Sequence, residues 1–216
     1  MNHRLFFFLM CLLTARFALS EVTDTVTSDA QIYIVGDTTS QTIISSRNAS
    51  KQINPGPLVK LMSIYVIFDA LQSGAIDLGD EVEISSAAAS TSGIRMFLTS
   101  GDKISVDRLI KATVISGAND ATLALVEAVA GTETNFVAVM NQHAKSIRLT
   151  DSKFTSALGY NNNSQFTTAS DLYQLAYSLL LRFPEYYAYF NLQKYDYQGI
   201  VQYNPNDLLA RDAFND

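Results

Sequence analysis

Cysteine and histidine are nearly missing from the 216 residues: Cys11 is alone of its kind, and the histidines are His3 and His143. Cys11 and His3 both lie in the first twenty residues. There Arg4 gives a positive start, residues 5–13 form a short apolar run, and Ala18-Leu19-Ser20 resembles a small-residue cleavage site. This pattern reads as a secretory signal peptide over residues 1–20. The apolar run is too short to span a membrane comfortably, and Arg16 interrupts it. Once such a leader is removed, no disulfide can form and no thiolate can serve as nucleophile. With His143 the one histidine remaining, in a stretch that reads as a surface helix, a zinc site is not expected. Basic charge is scarce as well. Beyond residue 20, 13 Lys+Arg face 21 Asp+Glu, a net charge of −8, which argues against nucleic acid as a partner. Neither a G-x-S-x-G elbow nor a phosphate-binding glycine loop is present. Any nucleophilic chemistry would therefore need a base other than histidine.

Residues 21–29 read as a polar leader, and residues 30–216 as one domain of mixed α/β character. Gln31-Ile32-Tyr33-Ile34-Val35 and Gln41-Thr42-Ile43-Ile44-Ser45 read as two strands joined by a loop over residues 36–40. A break at Asn54-Pro55-Gly56-Pro57 precedes an apolar run over residues 58–71. Proline at the first helical position is a start signal, and a run apolar on nearly all sides predicts a helix in the middle of the domain. Further helices are predicted over residues 106–115, 121–129, 134–147 and 169–181, the last opened by Thr167-Thr168. Beyond it the chain is rich in Tyr and Asn with little clear periodicity. Two strands alone make a marginal sheet, and no partner strand is evident. Asn48-Ala49-Ser50 and Asn162-Asn163-Ser164 match the glycosylation sequon.

Pro57 and Lys60 stand three residues apart at the predicted helix start, so they share a face. A cation there meets the positive end of the helix dipole, at a cost of up to about 1 kcal/mol. Local stability does not explain Lys60, unless the side chain simply reaches solvent. Pro55-Gly56-Pro57-Leu58-Val59-Lys60-Leu61-Met62 resembles the Pro-Ala-Ser-x-x-Lys segment of the serine D-alanyl-D-alanine carboxypeptidases, the low-molecular-mass penicillin-binding proteins. Arg95-Met96-Phe97, Gly101-Asp102, Gly131-Thr132-Glu133, Leu158-Gly159, Phe166-Thr167-Thr168 and Asn204-Pro205-Asn206-Asp207-Leu208-Leu209 follow in that family's order.

The resemblance implies a beta-lactamase/DD-peptidase-like α/β fold, a helical block packed on an antiparallel sheet, incomplete here because the C-terminal strands are missing. It implies acyl-enzyme chemistry on peptidoglycan stem peptides, reactivity with beta-lactams, no cofactor and no metal. The implied location is the bacterial periplasm or cell envelope, without the family's membrane anchor. In the family a serine attacks the peptide carbonyl, the motif lysine takes its proton, a Ser-x-Asn relays protons and binds substrate, and backbone N–H groups stabilise the oxyanion.

This chain departs from that pattern at each element. The nucleophile position holds Pro57, with neither hydroxyl nor N–H. Lys60, the implied general base, is retained. In the second motif Gly117 stands for the serine, while Asn119 and Asp120 match. The plainer reading of this stretch is a helix–helix turn in which Asn119 or Asp120 caps the next helix. A Lys-Thr-Gly strand is not found within the 216 residues. The expectation is a carboxypeptidase by descent that is inactive as it stands. The alternatives are an exported protein that binds peptidoglycan without cutting it, and the product of an interrupted gene. Ser63 and Ser116 are the candidate stand-in nucleophiles. A helix serine bonded to its own backbone is the plainer reading of Ser63.

Overall fold

The computed structural model describes residues 28–160 and 164–209. The expected leader, most of the polar segment after it, two asparagines of the second sequon and the chain end lie outside the described residues. The first hairpin pairs β1 (Tyr33–Gly36) with β2 (Ile43–Arg47) antiparallel, Tyr33 opposite Arg47 and Val35 opposite Ser45. Both strands begin two residues later than the alternation suggests. The Asp37 carboxylate accepts bonds of 2.7 Å from the N–H groups of both Thr39 and Ser40, which organises the turn between them.

The predicted central helix is present with one correction at its start. Gly56–Val59 is a 3₁₀ turn, and α1 runs Lys60–Gln72. Proline's fixed φ suits either helix type, and the tighter turn is common at a helix N-terminus. Lys60 is thus the first α-helical residue. The helix is buried on nearly every side, from Met62 through Phe68 and again at Ala70 and Leu71, and it packs against α3 (Val106–Ser116), α4 (Asn119–Ala130), α5 (Glu133–Ser146) and α6 (Ala169–Arg182). Serine or threonine oxygens cap three of these: Ser105 accepts from Arg108 N–H, Thr132 from Asn135 N–H and Thr168 from Asp171 N–H.

Two hairpins were not foreseen. β3 (Glu81–Glu83) pairs with β4 (Lys103–Ser105) around the short α2 (Ser86–Ala89). After α7 (Pro184–Tyr187), β5 (Lys194–Tyr197) pairs with β6 (Ile200–Tyr203). Three-residue strands carry too little alternation to read. The second hairpin did carry a signal: Tyr195 and Tyr197 alternate into the core, and Gln198-Gly199 both adopt positive φ, as a two-residue hairpin loop requires. The described residues thus form a helical block with three separate two-stranded antiparallel sheets.

On the side of α1 away from its start, three helices meet at Asp69. Arg182 of α6 donates to both the Asp69 carboxylate and Tyr65 Oη, the latter at 3.0 Å. His143 of α5 places Nε2 3.3 Å from Asp69 Oδ2 and stacks edge-on against Tyr65. His143 is partly exposed, as expected, but it is a tie between helices rather than a plain surface residue. Burial lowers its pKa; Asp69 opposes that shift and Arg182 reinforces it. The unfolded chain therefore takes up the proton first. As pH falls through about 6.5, stability is lost until the folded imidazole also protonates. Melting temperature measured from pH 7.5 to 5 is expected to fall more steeply for the native protein than for His143→Gln. Equal slopes would rule out this contribution.

Candidate functional site

Pro57, Lys60, Gly117 and Asn119, from two stretches of sequence far apart in the chain, line one cleft of ≈ 710 Å³ together with Ser116 and Leu158. The 3₁₀ turn and the start of α1 form its base. The α3–α4 joint forms one wall, and residues 157–159 form the other.

The first wall is held by its own side chains. Gly117 ends α3 at φ +73°, in the left-handed region that suits glycine. Asn119 opens α4 but does not cap it. Its N–H donates to Ile94 O at 2.7 Å and its Nδ2 to Ser92 O at 2.6 Å. Asn119 is 8% exposed, and its Oδ1 is buried without a hydrogen-bond partner. Asp120 is fully buried and accepts from Met96 N–H at 3.0 Å, Leu98 N–H at 3.1 Å and Ala121 N–H at 2.9 Å. One carboxylate bridging the N–H groups of residues 96 and 98 turns the residue between them inside out: Phe97 sits at φ +64°, exposed, with Arg95 over its ring. The Asn-Asp pair thus clamps residues 92–98 to the helix start. Sequence reading gave Asp120 no such task beyond a possible cap.

The second wall rests on α1. Lys60 Nζ donates to Leu158 O at 2.9 Å, and Ser63 Oγ donates to Ala157 O at 2.8 Å. Ser63 is fully buried and is bonded across to this wall rather than to its own helix, and it is not among the cleft-lining residues. Ser116 does line the cleft, and its Oγ donates back to Ala112 O at 2.9 Å. No described carboxylate lies within ion-pair distance of Lys60. Burial among Pro57, Leu61, Ile64 and Leu158 pushes its ammonium pKa down to about 8.

The wall is pinned from behind as well. Glu133 Oε1 accepts from Ser156 Oγ at 3.0 Å and Ala157 N–H at 2.9 Å, and Gln165 Oε1 accepts from the N–H groups of Thr155 and Ser156. Asn141 holds Phe154 through both its N–H and its carbonyl. Glu133 was visible in sequence only as a member of an ordered set of matches. Gly159 is required by contact as well as by φ (+82°), since a Cβ there would lie 2.2 Å from Gly56 O and 2.9 Å from Pro57 Cα.

Comparison with known proteins bears on the family and the fold. A family model described as D-alanyl-D-alanine carboxypeptidase matches residues 19–216. The chain is 34% identical over 214 residues to the D-alanyl-D-alanine carboxypeptidase DacC of Escherichia coli K12, covering 96% of this chain and 54% of that protein. It is 32% identical over 187 residues to DacD of Salmonella typhimurium, covering 84% and 48%. Penicillin binding protein 5 from Haemophilus influenzae superposes with a TM-score of 0.82 at 30% identity, over 86% of this chain and 56% of that one. Penicillin binding protein 6B from Escherichia coli gives 0.82 at 29%, over 88% and 63%. The chain spans about half the length of the curated relatives it matches.

Gly159→Ala tests the packing of the second wall. The added methyl must push the wall off the Pro57 turn and also forces a strained φ, so a loss of about 2–4 kcal/mol is expected in urea unfolding. A loss below 0.5 kcal/mol would show that the wall does not rest on that turn.

Proposed function

The chain belongs to the D-alanyl-D-alanine carboxypeptidase family, and we propose that it is a member of the cell envelope whose cleft receives a peptidoglycan stem peptide without forming the serine ester. One observation carries this reading: the cleft position one turn before Lys60 is Pro57. Proline offers no hydroxyl to attack a carbonyl and no N–H to stabilise the oxyanion. The lysine that would take a serine proton has no such proton to take.

The rest of the site agrees. Gly117 brings no hydroxyl to the α3–α4 joint, and a serine there would have to adopt the left-handed φ, at about 1–2 kcal/mol. Ser63 points its hydroxyl out of the cleft into a backbone bond. Ser116 faces the cleft without a base at its oxygen, since its recorded bond runs back to Ala112 O. Losing the nucleophile of an acyl-transfer site removes several orders of magnitude in rate. The purified protein is expected to release no D-alanine from a peptide ending in D-Ala-D-Ala, and to form no hydroxylamine-labile ester with a fluorescent penicillin. Release of D-alanine that Lys60→Ala abolishes would overturn this.

Binding without cleavage is favoured by Asn119 Oδ1, a buried acceptor with no partner that belongs to a cleft-lining residue. A ligand N–H supplied by a peptide would complete it. The same D-Ala-D-Ala peptide is expected to raise the melting temperature of the native protein. Asn119→Ala should reduce that shift by most of its value, reflecting about 1–2 kcal/mol of lost hydrogen bonding. A native protein unmoved by millimolar peptide would rule the binding out.

A further inference from the structure

We propose that Lys60 is itself the nucleophile of this cleft, an acyl-acceptor amine that is covalently modified by activated or strained acyl compounds. The inference rests on the reading of the cleft given above but uses a different chemistry from the one lost at Pro57.

Four features of the position converge. First, the Lys60 amine lines a cleft large enough for a small acyl compound, so an electrophile can reach it. Second, its one recorded hydrogen bond is donated to Leu158 O. An ammonium would make that bond stronger, but the neutral amine still donates to a carbonyl, so the bond orients Nζ in either state. Third, no described charged group nearby favours the ammonium. No described carboxylate is within ion-pair distance, the surrounding side chains are apolar, and α1 begins at Lys60, so the positive end of its dipole lies alongside. Desolvation beside a second source of positive potential is the established way to make a lysine nucleophilic. Fourth, the residue one turn back on the same face is Pro57, which neither donates a proton to the amine nor competes with it for a carbonyl carbon.

The other described lysines differ. Lys111 donates to the Asp107 carboxylate at 2.7 Å, a half-buried ion pair. Lys51, Lys103 and Lys194 are exposed.

The step balances without a co-reactant. With p-nitrophenyl acetate as the probe, the Nζ lone pair attacks the ester carbonyl and a C–N bond forms. The C–O bond to the aryl oxygen breaks, p-nitrophenolate leaves with the electron pair, and the amine's proton passes to water. The product is an amide on Lys60, stable to hydroxylamine, so the protein is consumed stoichiometrically and does not turn over.

The test treats the full chain with limiting p-nitrophenyl acetate between pH 6.5 and 9.5 and maps acetylation by peptide mass spectrometry. Lys60 is expected to be acetylated roughly 10-fold or more faster than Lys111 or Lys194 at pH 8, because burial leaves a large share of it neutral there and the cleft holds the ester beside it. Its rate should level off near pH 8 to 9 while theirs still climbs. Lys60→Arg should remove the fast p-nitrophenolate burst and leave the slow background. Acetylation of Lys60 no faster than the exposed lysines overturns the proposal. So does a hydroxylamine-labile acetyl group on Ser116 in place of the Lys60 amide. The two readings fail separately. A slow Lys60 together with no D-alanine release refutes this inference alone, whereas D-alanine release refutes the reading of the cleft.

Discussion

Two side chains on one turn of α1, Lys60 and Ser63, donate to consecutive carbonyls of the opposite wall, Leu158 O and Ala157 O. Those two bonds set the spacing between the most buried helix of the domain and the segment that closes its cleft. Buried carbonyls need partners, and here residues 157 and 158 find them in side chains rather than in a sheet ladder. The wall is therefore as firm as the α1 face it rests on. Its reverse side shows the same economy, with the Glu133 carboxylate and the Gln165 carbonyl each serving two donors. Gly159 then brings the wall into contact with the 3₁₀ turn, where no side chain would fit.

The opposite wall follows the same logic with the polarity reversed. On the second wall, side-chain donors satisfy loop carbonyls; at the α3–α4 joint, Asp120 is an acceptor that gathers loop N–H groups. Its three charge-assisted bonds are individually worth about 1.5–3 kcal/mol, and without them residues 94–98 would carry orphaned donors next to the core. Asn119 completes the clamp with donors toward Ser92 and Ile94, which leaves its carbonyl oxygen without a partner in the fold.

Much of this was legible in the sequence because it depends on periodicity and on short, rigid spacings. The all-apolar run after Pro57 could only be a central helix, and the Thr168 cap and Gly117 stop marked helix ends by residue chemistry. Pro57 and Lys60 fell on one face because three residues make a turn. What was not legible depends on contacts distant in sequence. Ser63 reads as a serine bonded to its own helix until residue 157 is brought beside it, ninety-four positions away. Asp120 reads as a helix cap until the 94–98 loop is in place. His143 reads as a surface residue until Asp69 and Arg182 converge on it. The β5–β6 hairpin was missed for a different reason. Its tyrosines alternate correctly, but Gln-Gly is a weaker turn signal than Asn-Gly, and four-residue strands give the pattern little length.

The consequence of Pro57 reaches beyond a missing hydroxyl. In a serine–lysine pair the two groups stabilise each other's unusual states, because the hydroxyl gives the amine a partner that tolerates its neutrality. Here the serine is absent, yet Lys60 keeps the position, the burial and the carbonyl bond. A lysine retained only as structure would gain from a nearby carboxylate or from full exposure to solvent, and Lys60 is half-buried with no described carboxylate in reach. The backbone bond to Leu158 explains why a donor must stand at residue 60, but a neutral amine can also supply that donor. Burial then disfavours the charge, the helix start disfavours it further, and no described carboxylate opposes them. The same architecture that positions a proton acceptor for a serine presents, once that serine is proline, an amine with its lone pair available to the cleft.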